Sequence, residues 1–194
     1  MPEITESFIT EHPLERVWQF FQNVPEVVTC MPGLALTEET GDMSYRGVVT
    51  VRVGPISATF EGEATIVETD AAAHRCRLDA KGIDKRGGNR AAASVTYELT
   101  PHGANGTEVT LRGEIKLAGA LAQIGRGAII HDVAHALTTQ FVDCLNAKLA
   151  AAGEDEAGSI GSQELRGGRL LFVLFRQSLK RFLAGLLRPF RARP

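Results

Sequence analysis

The residues best placed for chemistry are His131 and His135, four apart in His131-Asp132-Val133-Ala134-His135. On a helix this spacing puts both imidazoles on one face, as in the H-E-x-x-H zinc motif. That motif needs a glutamate as general base and a third ligand further along the chain. Here the acid is Asp132, one methylene shorter, and no obvious third ligand follows on the helix. The pair reads as solvent-edge histidines, and no metal site is expected. Gly125-Arg126-Gly127 begins like a dinucleotide-binding G-x-G-x-x-G, but Ile130 stands where the third glycine belongs. The close helix–strand packing supplied by that glycine is then lost. Neither G-x-S-x-G nor a P-loop occurs. The short basic turn at Asp84-Lys85-Arg86 reads as a solvated hairpin, so no nucleic-acid partner is expected. Cys30, Cys76 and Cys144 are odd in number, widely spaced and without a C-x-x-C. They indicate neither a disulfide framework nor a zinc ribbon. No residue is expected to be catalytic.

The elements that carry these residues follow from periodicity. Thr5 to Thr10 alternates as a first strand, and His12-Pro13-Leu14-Glu15 starts a helix bearing Val17, Trp18, Phe20 and Phe21. A short second helix over Glu26 to Thr29 stops at Cys30-Met31-Pro32-Gly33. Five runs of two-residue period follow, Ser44–Val53, Ser57–Glu68, His74–Gly82, Arg90–Leu99 and Thr107–Lys116, joined by short turns. They predict an antiparallel meander. Ile130, Val133, Leu137, Phe141, Cys144 and Leu145 then recur at helical spacing, predicting one long helix over 126–151 with Asp132, Thr139, Asp143 and Asn146 outside. The segment Leu117–Gly125 is out of phase and reads as a separate turn. A curved sheet needs something to cover its apolar face, and the long helix is the candidate. The expected architecture is α+β, a helix-grip fold over residues 1–152.

Parity sorts the two faces of each strand. Tyr45, Val49, Val51, Phe60, Ile66, Leu78, Val95 and Tyr97 fall on the inner face, interleaved with Gly47, Gly62, Ala64, Ala80, Gly82, Ala91, Ala93 and Gly113. So many small residues on adjacent positions leave volume that either a close helix or a ligand must take up. The reading favoured is an apolar cavity for a hydrophobic small molecule.

Charge divides the chain. Residues 1–165 hold 13 basic and 23 acidic residues, whereas the segment from Arg166 holds eight basic residues and no acidic ones. The longest apolar run there, Leu170 to Phe175, is six residues, far short of the roughly 20 needed to span a bilayer. Wound as a helix over 168–190, Leu171, Phe172, Phe175, Leu179, Phe182, Leu183 and Leu186 form one face, and Arg176, Lys180 and Arg181 lie on the other. This is the pattern of a helix lying in a membrane interface, drawn to anionic lipid. Residues 153–167 read as a flexible linker. The beginning of the chain lacks a basic run and a long apolar stretch, so it does not read as a signal peptide. A cytoplasmic location, peripheral on the inner face of the cell membrane, is expected.

Val17-Trp18, Cys30-Met31-Pro32-Gly33, Tyr45-Arg46-Gly47, Val53-Gly54-Pro55, Phe60-Glu61-Gly62 and Ala122-Gln123-Ile124-Gly125-Arg126 together resemble the CoxG family of carbon monoxide dehydrogenase accessory proteins. That family belongs to the START-like, polyketide cyclase superfamily. The resemblance covers residues 3–150. It implies an accessory, non-catalytic protein whose partner is a molybdenum-containing carbon monoxide dehydrogenase or related hydroxylase. It also gives the cavity a candidate ligand, a respiratory quinone such as menaquinone or ubiquinone, and no covalent cofactor. Val28, Met31 and Leu34 are expected at the mouth. Tyr45, Val49, Val51, Phe60 and Tyr97 are expected along the sheet, with Leu121, Ile124, Ala128 and Val133 on the covering segment. Two alternatives stand beside this reading. One is a recruitment module with a packed sheet and no ligand; the other is a cyclase-like enzyme, for which the inner face offers only Tyr45, Tyr97 and Cys76.

Overall fold

The computed structural model describes residues 3–41, 43–53, 56–122 and 129–159. The elements run β1 (Glu3–Thr10), α1 (Leu14–Gln22), α2 (Val24–Thr29), β2 (Leu34–Gly41), β3 (Ser44–Val53), β4 (Ile56–Asp70), β5 (Arg75–Asp84), β6 (Asn89–His102), β7 (Gly106–Ala118) and α3 (Ile129–Ser159). All seven strands form one antiparallel sheet in the order β1-β7-β6-β5-β4-β3-β2. The five meander strands and β1 match the periodicity. β2 does not, because Thr37-Glu38-Glu39-Thr40 carries no alternation. As an edge strand it is exposed over most of its length, and two register shifts interrupt its pairing with β3. Edge strands gain little from a buried face, so their sequences need not alternate.

The strand registers place residues assigned inward by parity opposite one another. Tyr45 faces Ala64, which faces Ala80, Ala93 and Ile115 in turn. A second row runs Leu36, Gly47, Gly62, Gly82, Ala91 and Leu117. At Gly62 the strands approach so closely that a Cβ would lie 2.2 Å from the Lys81 carbonyl oxygen. Backbone must shift to accept a methyl there, so Gly62→Ala is expected to lose about 1–3 kcal/mol. Thermal denaturation checks this, and an unchanged Tm would mean the strands have slack.

One face of the sheet is closed at one end by α1, α2 and the second half of α3. α1 turns Val17, Trp18, Phe20 and Phe21 inward, and they are buried together with Tyr97, Leu99, Val109, Phe141, Leu145 and Leu149. The rings of Phe8, Phe20 and Phe21 surround Phe141, with centroids 5.7–6.4 Å away. At the far end a smaller cluster joins Ala58, Phe60 and Leu121, the last from the turn that follows β7.

Three expectations are corrected. α3 runs to Ser159, eight residues beyond the expected end at 151. The linker reading of 153–167 therefore starts inside a helix. Asn146 is not an outer residue: its Oδ1 accepts a hydrogen bond from the buried Thr10 hydroxyl at 2.7 Å, tying α3 to β1. Finally, Cys30 and Cys144 form a disulfide across 114 residues, with Cα atoms 5.4 Å apart. Spacing along the chain could not show this pair, because the fold alone brings α2 against α3. The expected tail helix over 168–190, with Leu171, Phe172, Phe175, Arg176, Leu179, Lys180, Arg181, Phe182, Leu183 and Leu186, lies outside the described residues. Among those described, no helix is long and apolar enough to cross a membrane.

Candidate functional site

The inner face of the sheet has three zones. The end under α1 is fully packed, and the far end is capped by Leu121 over Phe60. Between them Tyr45, Ala64, Ala80, Ala93, Val95 and Ile115 are only half-buried. The first half of α3 matches this zone, since Ile130, Val133, Ala134 and Leu137 are half-buried whereas Phe141, Leu145 and Leu149 are buried. The reason is side-chain size. Aromatic rings bridge from helix to sheet at the packed end, and glycine and alanine cannot reach across in the middle band.

The residues expected to line a pocket divide among these zones. Leu34, Val49 and Phe60 are cross-strand neighbours on β2, β3 and β4. Val51 pairs with Ala58 beside them, and Leu121 packs on Phe60. Tyr45 and Val133 border the half-buried band, and Val28 is half-buried on α2. Met31 and Tyr97 belong to the packed end instead. Met31 lies against the core cluster, and Tyr97 is buried with its ring 4.9 Å from Phe21. Tyr97 is thus core, because α1 docks directly over it. Ile124 and Ala128 lie outside the described residues.

The polar groups of this face are more numerous than parity alone suggested. Burial, and then the Cys76 thiol beside it, push the Tyr97 hydroxyl far above its ordinary value. The same hydroxyl accepts from Gln22 Nε2 at 3.3 Å. Burial, and next the Glu39 carboxylate opposite, raise Tyr45. Glu6 was missed, although it shares parity with Ile4, Phe8 and Thr10. It lies mostly covered at the seam between β1 and α3, with Oε2 3.1 Å from His135 Nδ1. His131 is exposed. Among the described residues, no three His, Cys, Asp or Glu side chains come together as a metal site would require.

Asp84 and Asn89 correct the solvated-hairpin reading. Both are buried at the far end of the face. Asp84 Oδ1 accepts from the backbone N–H groups of Arg86 and Gly87, closing the turn, and Asn89 Nδ2 donates to Asp84 Oδ2 at 2.9 Å. Asn89 Oδ1 in turn accepts from the Leu121 N–H at 3.2 Å and so seats the cap over Phe60. An aspartate opening a glycine-bearing turn was the signal available in the sequence. The Asn89 amide, followed by the Gly87 N–H, holds the Asp84 carboxyl below its ordinary value. Its contribution to stability is complete above the unfolded value of about 3.9. It is lost as pH falls through the lower folded value. Asp84→Asn is expected to lower Tm at pH 7 and to narrow its deficit as pH approaches about 3. Parallel Tm–pH curves for the two proteins would remove Asp84 from the acid response.

On the opposite face, a groove of about 810 Å3 crosses the strands between the side chains of Arg46, Glu61, Glu63, Lys81, Arg90 and Lys116. None of the residues expected in the pocket lines it. Its charged walls suit water better than an apolar ligand.

A curved seven-stranded antiparallel sheet gripped by a long C-terminal helix defines the START-like, helix-grip class. The family profile of the carbon monoxide dehydrogenase CoxG component matches residues 7–150, and the chain belongs to that family. Solved structures share the fold at low identity. A conserved protein of Geobacillus kaustophilus is 19% identical, with a TM-score of 0.68 over 76% of this chain and 95% of its own. A protein of Thermus thermophilus is 17% identical, with a TM-score of 0.57 over 78% and 99%. The Zhui aromatase/cyclase of Streptomyces sp. R1128 is 12% identical, with a TM-score of 0.54 over 77% and 93%. No curated protein sequence matches the chain.

Proposed function

We propose that this protein is a membrane-tethered accessory partner of a molybdenum-containing carbon monoxide dehydrogenase or related hydroxylase. In this reading it carries a respiratory quinone, menaquinone or ubiquinone, between its sheet and α3. The observation that carries the proposal is the half-buried band of Tyr45, Ala64, Ala80 and Ala93 between two closed apolar clusters. A flat head on an isoprenoid tail suits an apolar face with few polar groups. The basic, apolar segment from Leu171 to Leu186 supplies the tether. Each cation near anionic lipid contributes about 1 kcal/mol. The protein is non-catalytic in this proposal, and the dehydrogenase supplies the electrons.

Organic extraction of the purified full chain, followed by mass spectrometry, tests the ligand. A stoichiometric quinone from a quinone-replete host is expected; an empty protein, or phospholipid alone, overturns the proposal. Flotation with anionic vesicles tests the tether, and full chain that stays at the bottom of the gradient removes it. The band itself is tested by Ala93→Phe. Ala93 sits between Ala80 and Ile115 on the inner face, where a ring would occupy the space assigned to the ligand. Co-purifying quinone is expected to fall at least roughly tenfold while Tm changes little, because the added ring fills open volume. Undiminished quinone in this variant would put the ligand on another face.

A further inference from the structure

We propose that the Cys30–Cys144 disulfide is a redox-operated clasp that holds α2 over the mouth of the inner face, opened by a dithiol reductant. The inference rests on the ligand-binding reading above and adds a control on access to the same face. α2 is a weakly anchored element. None of its six residues is fully buried. Its cap is local, through the Asn23 side chain and the Glu26 N–H. Its tie to α3 apart from the disulfide is the Glu26–Lys148 ion pair at 3.6 Å, with both side chains partly exposed. Exposed pairs of this kind contribute little. The covalent bond is therefore the principal restraint on the segment.

The position of the bond gives it a role. From Cys30 the chain passes through Met31 to Leu34, where β2 begins, and Leu34 and Leu36 pair with Val49 and Gly47 on the inner face. Freeing α2 from α3 thus loosens one wall of the half-buried band. The aromatic cluster of Phe8, Phe20, Phe21 and Phe141 packs without either sulfur, so the rest of the fold persists when the bond is cut. Elements with few buried contacts open at low local free energy. Disulfides are also uncommon in a reducing cytosol unless they act in redox chemistry, and the proposed location is cytoplasmic.

The step balances. Cys30 is buried and Cys144 half-buried, so a thiolate of the reductant attacks Cys144 Sγ. The S–S bond breaks and Cys30 leaves as a thiolate that takes up a proton. The second thiol of the reductant then attacks the mixed disulfide, releasing Cys144 as a thiol. The reductant ends as a disulfide, two electrons and two protons poorer.

The test compares the air-oxidised full chain, the same protein in dithiothreitol, and the Cys30→Ser/Cys144→Ser variant. Intact mass after alkylation reads the bond. Hydrogen exchange reads residues 24–34 against the core of β6, and quenching of Trp18 reads the uptake rate of ubiquinone-1. Reduction and the double substitution are each expected to speed exchange in 24–34 and ubiquinone-1 uptake roughly tenfold or more, with β6 unchanged. Absence of the bond from the oxidised protein overturns the clasp, as does exchange or uptake indifferent to its state. If exchange responds but no form takes up ubiquinone-1, the clasp stands and the ligand reading fails.

Discussion

Phe141→Ala is expected to destabilise the protein by about 3–5 kcal/mol, the range for removing a buried phenyl ring from a close-packed core. Phe141 is the point where the elements meet. Phe8 brings β1 to it, and Phe20 and Phe21 bring α1, all in edge-on contacts. Tyr97 then links Phe21 to β6. Alanine would remove three ring contacts together and leave a void bounded by rigid aromatic walls. Partial collapse is hindered because α1 is held at both ends, by the His12 carbonyl accepting from Thr107 and by Gln22 donating to Tyr97. Equilibrium urea denaturation gives the value from the shift in midpoint at unchanged slope. A loss under about 1 kcal/mol would mean that the helix does not depend on this contact.

Removing the disulfide is the other large expected loss. Cys30 and Cys144 are 114 residues apart, so the bond strongly limits the unfolded chain. The chain-entropy relation gives about 4.7 kcal/mol for a closed loop of roughly 100 residues. Cys30→Ser/Cys144→Ser is accordingly expected to unfold about 4–5 kcal/mol more easily than the oxidised parent and to ignore added dithiothreitol. The parent should fall to nearly the same stability when reduced. A typical domain stability of about 5–15 kcal/mol leaves the variant folded. A parent whose urea midpoint does not move with reductant would show that the bond does not constrain unfolding. This effect works through the unfolded state and is separable from local opening of α2, which hydrogen exchange reads in the folded one.

The resemblance to the cyclase superfamily invites an enzymatic reading. Glu6 and His135 form a carboxylate–imidazole pair that parity did not bring together. That pair joins β1 to α3 at an edge where the His135 side chain is mostly exposed, away from the half-buried band on β3 to β6. The buried Asp84 carboxylate is fully engaged by Asn89 and the turn N–H groups. These contacts occupy both acids with structural partners, in keeping with a binding protein of the CoxG family.

The sequence alone determined the elements that a strict period defines. Five meander strands, the first strand, α1 and the inward face of each strand follow from alternation, because burial on one side of a sheet repeats every second residue. The glycine and alanine band was visible for the same reason. What the period does not encode, only the tertiary structure decided. β2 is an edge without a buried face, and α3 continues beyond its apolar stripe. Tyr97 turned from candidate lining into core because α1 docks over it, a matter of packing between elements distant in the chain. Cys30 met Cys144, and Asn89 met Leu121, through space alone. The half-buried band remains the feature on which the proposed function turns. Parity named its residues, and the aromatic cluster that ends at Phe141 set where it begins.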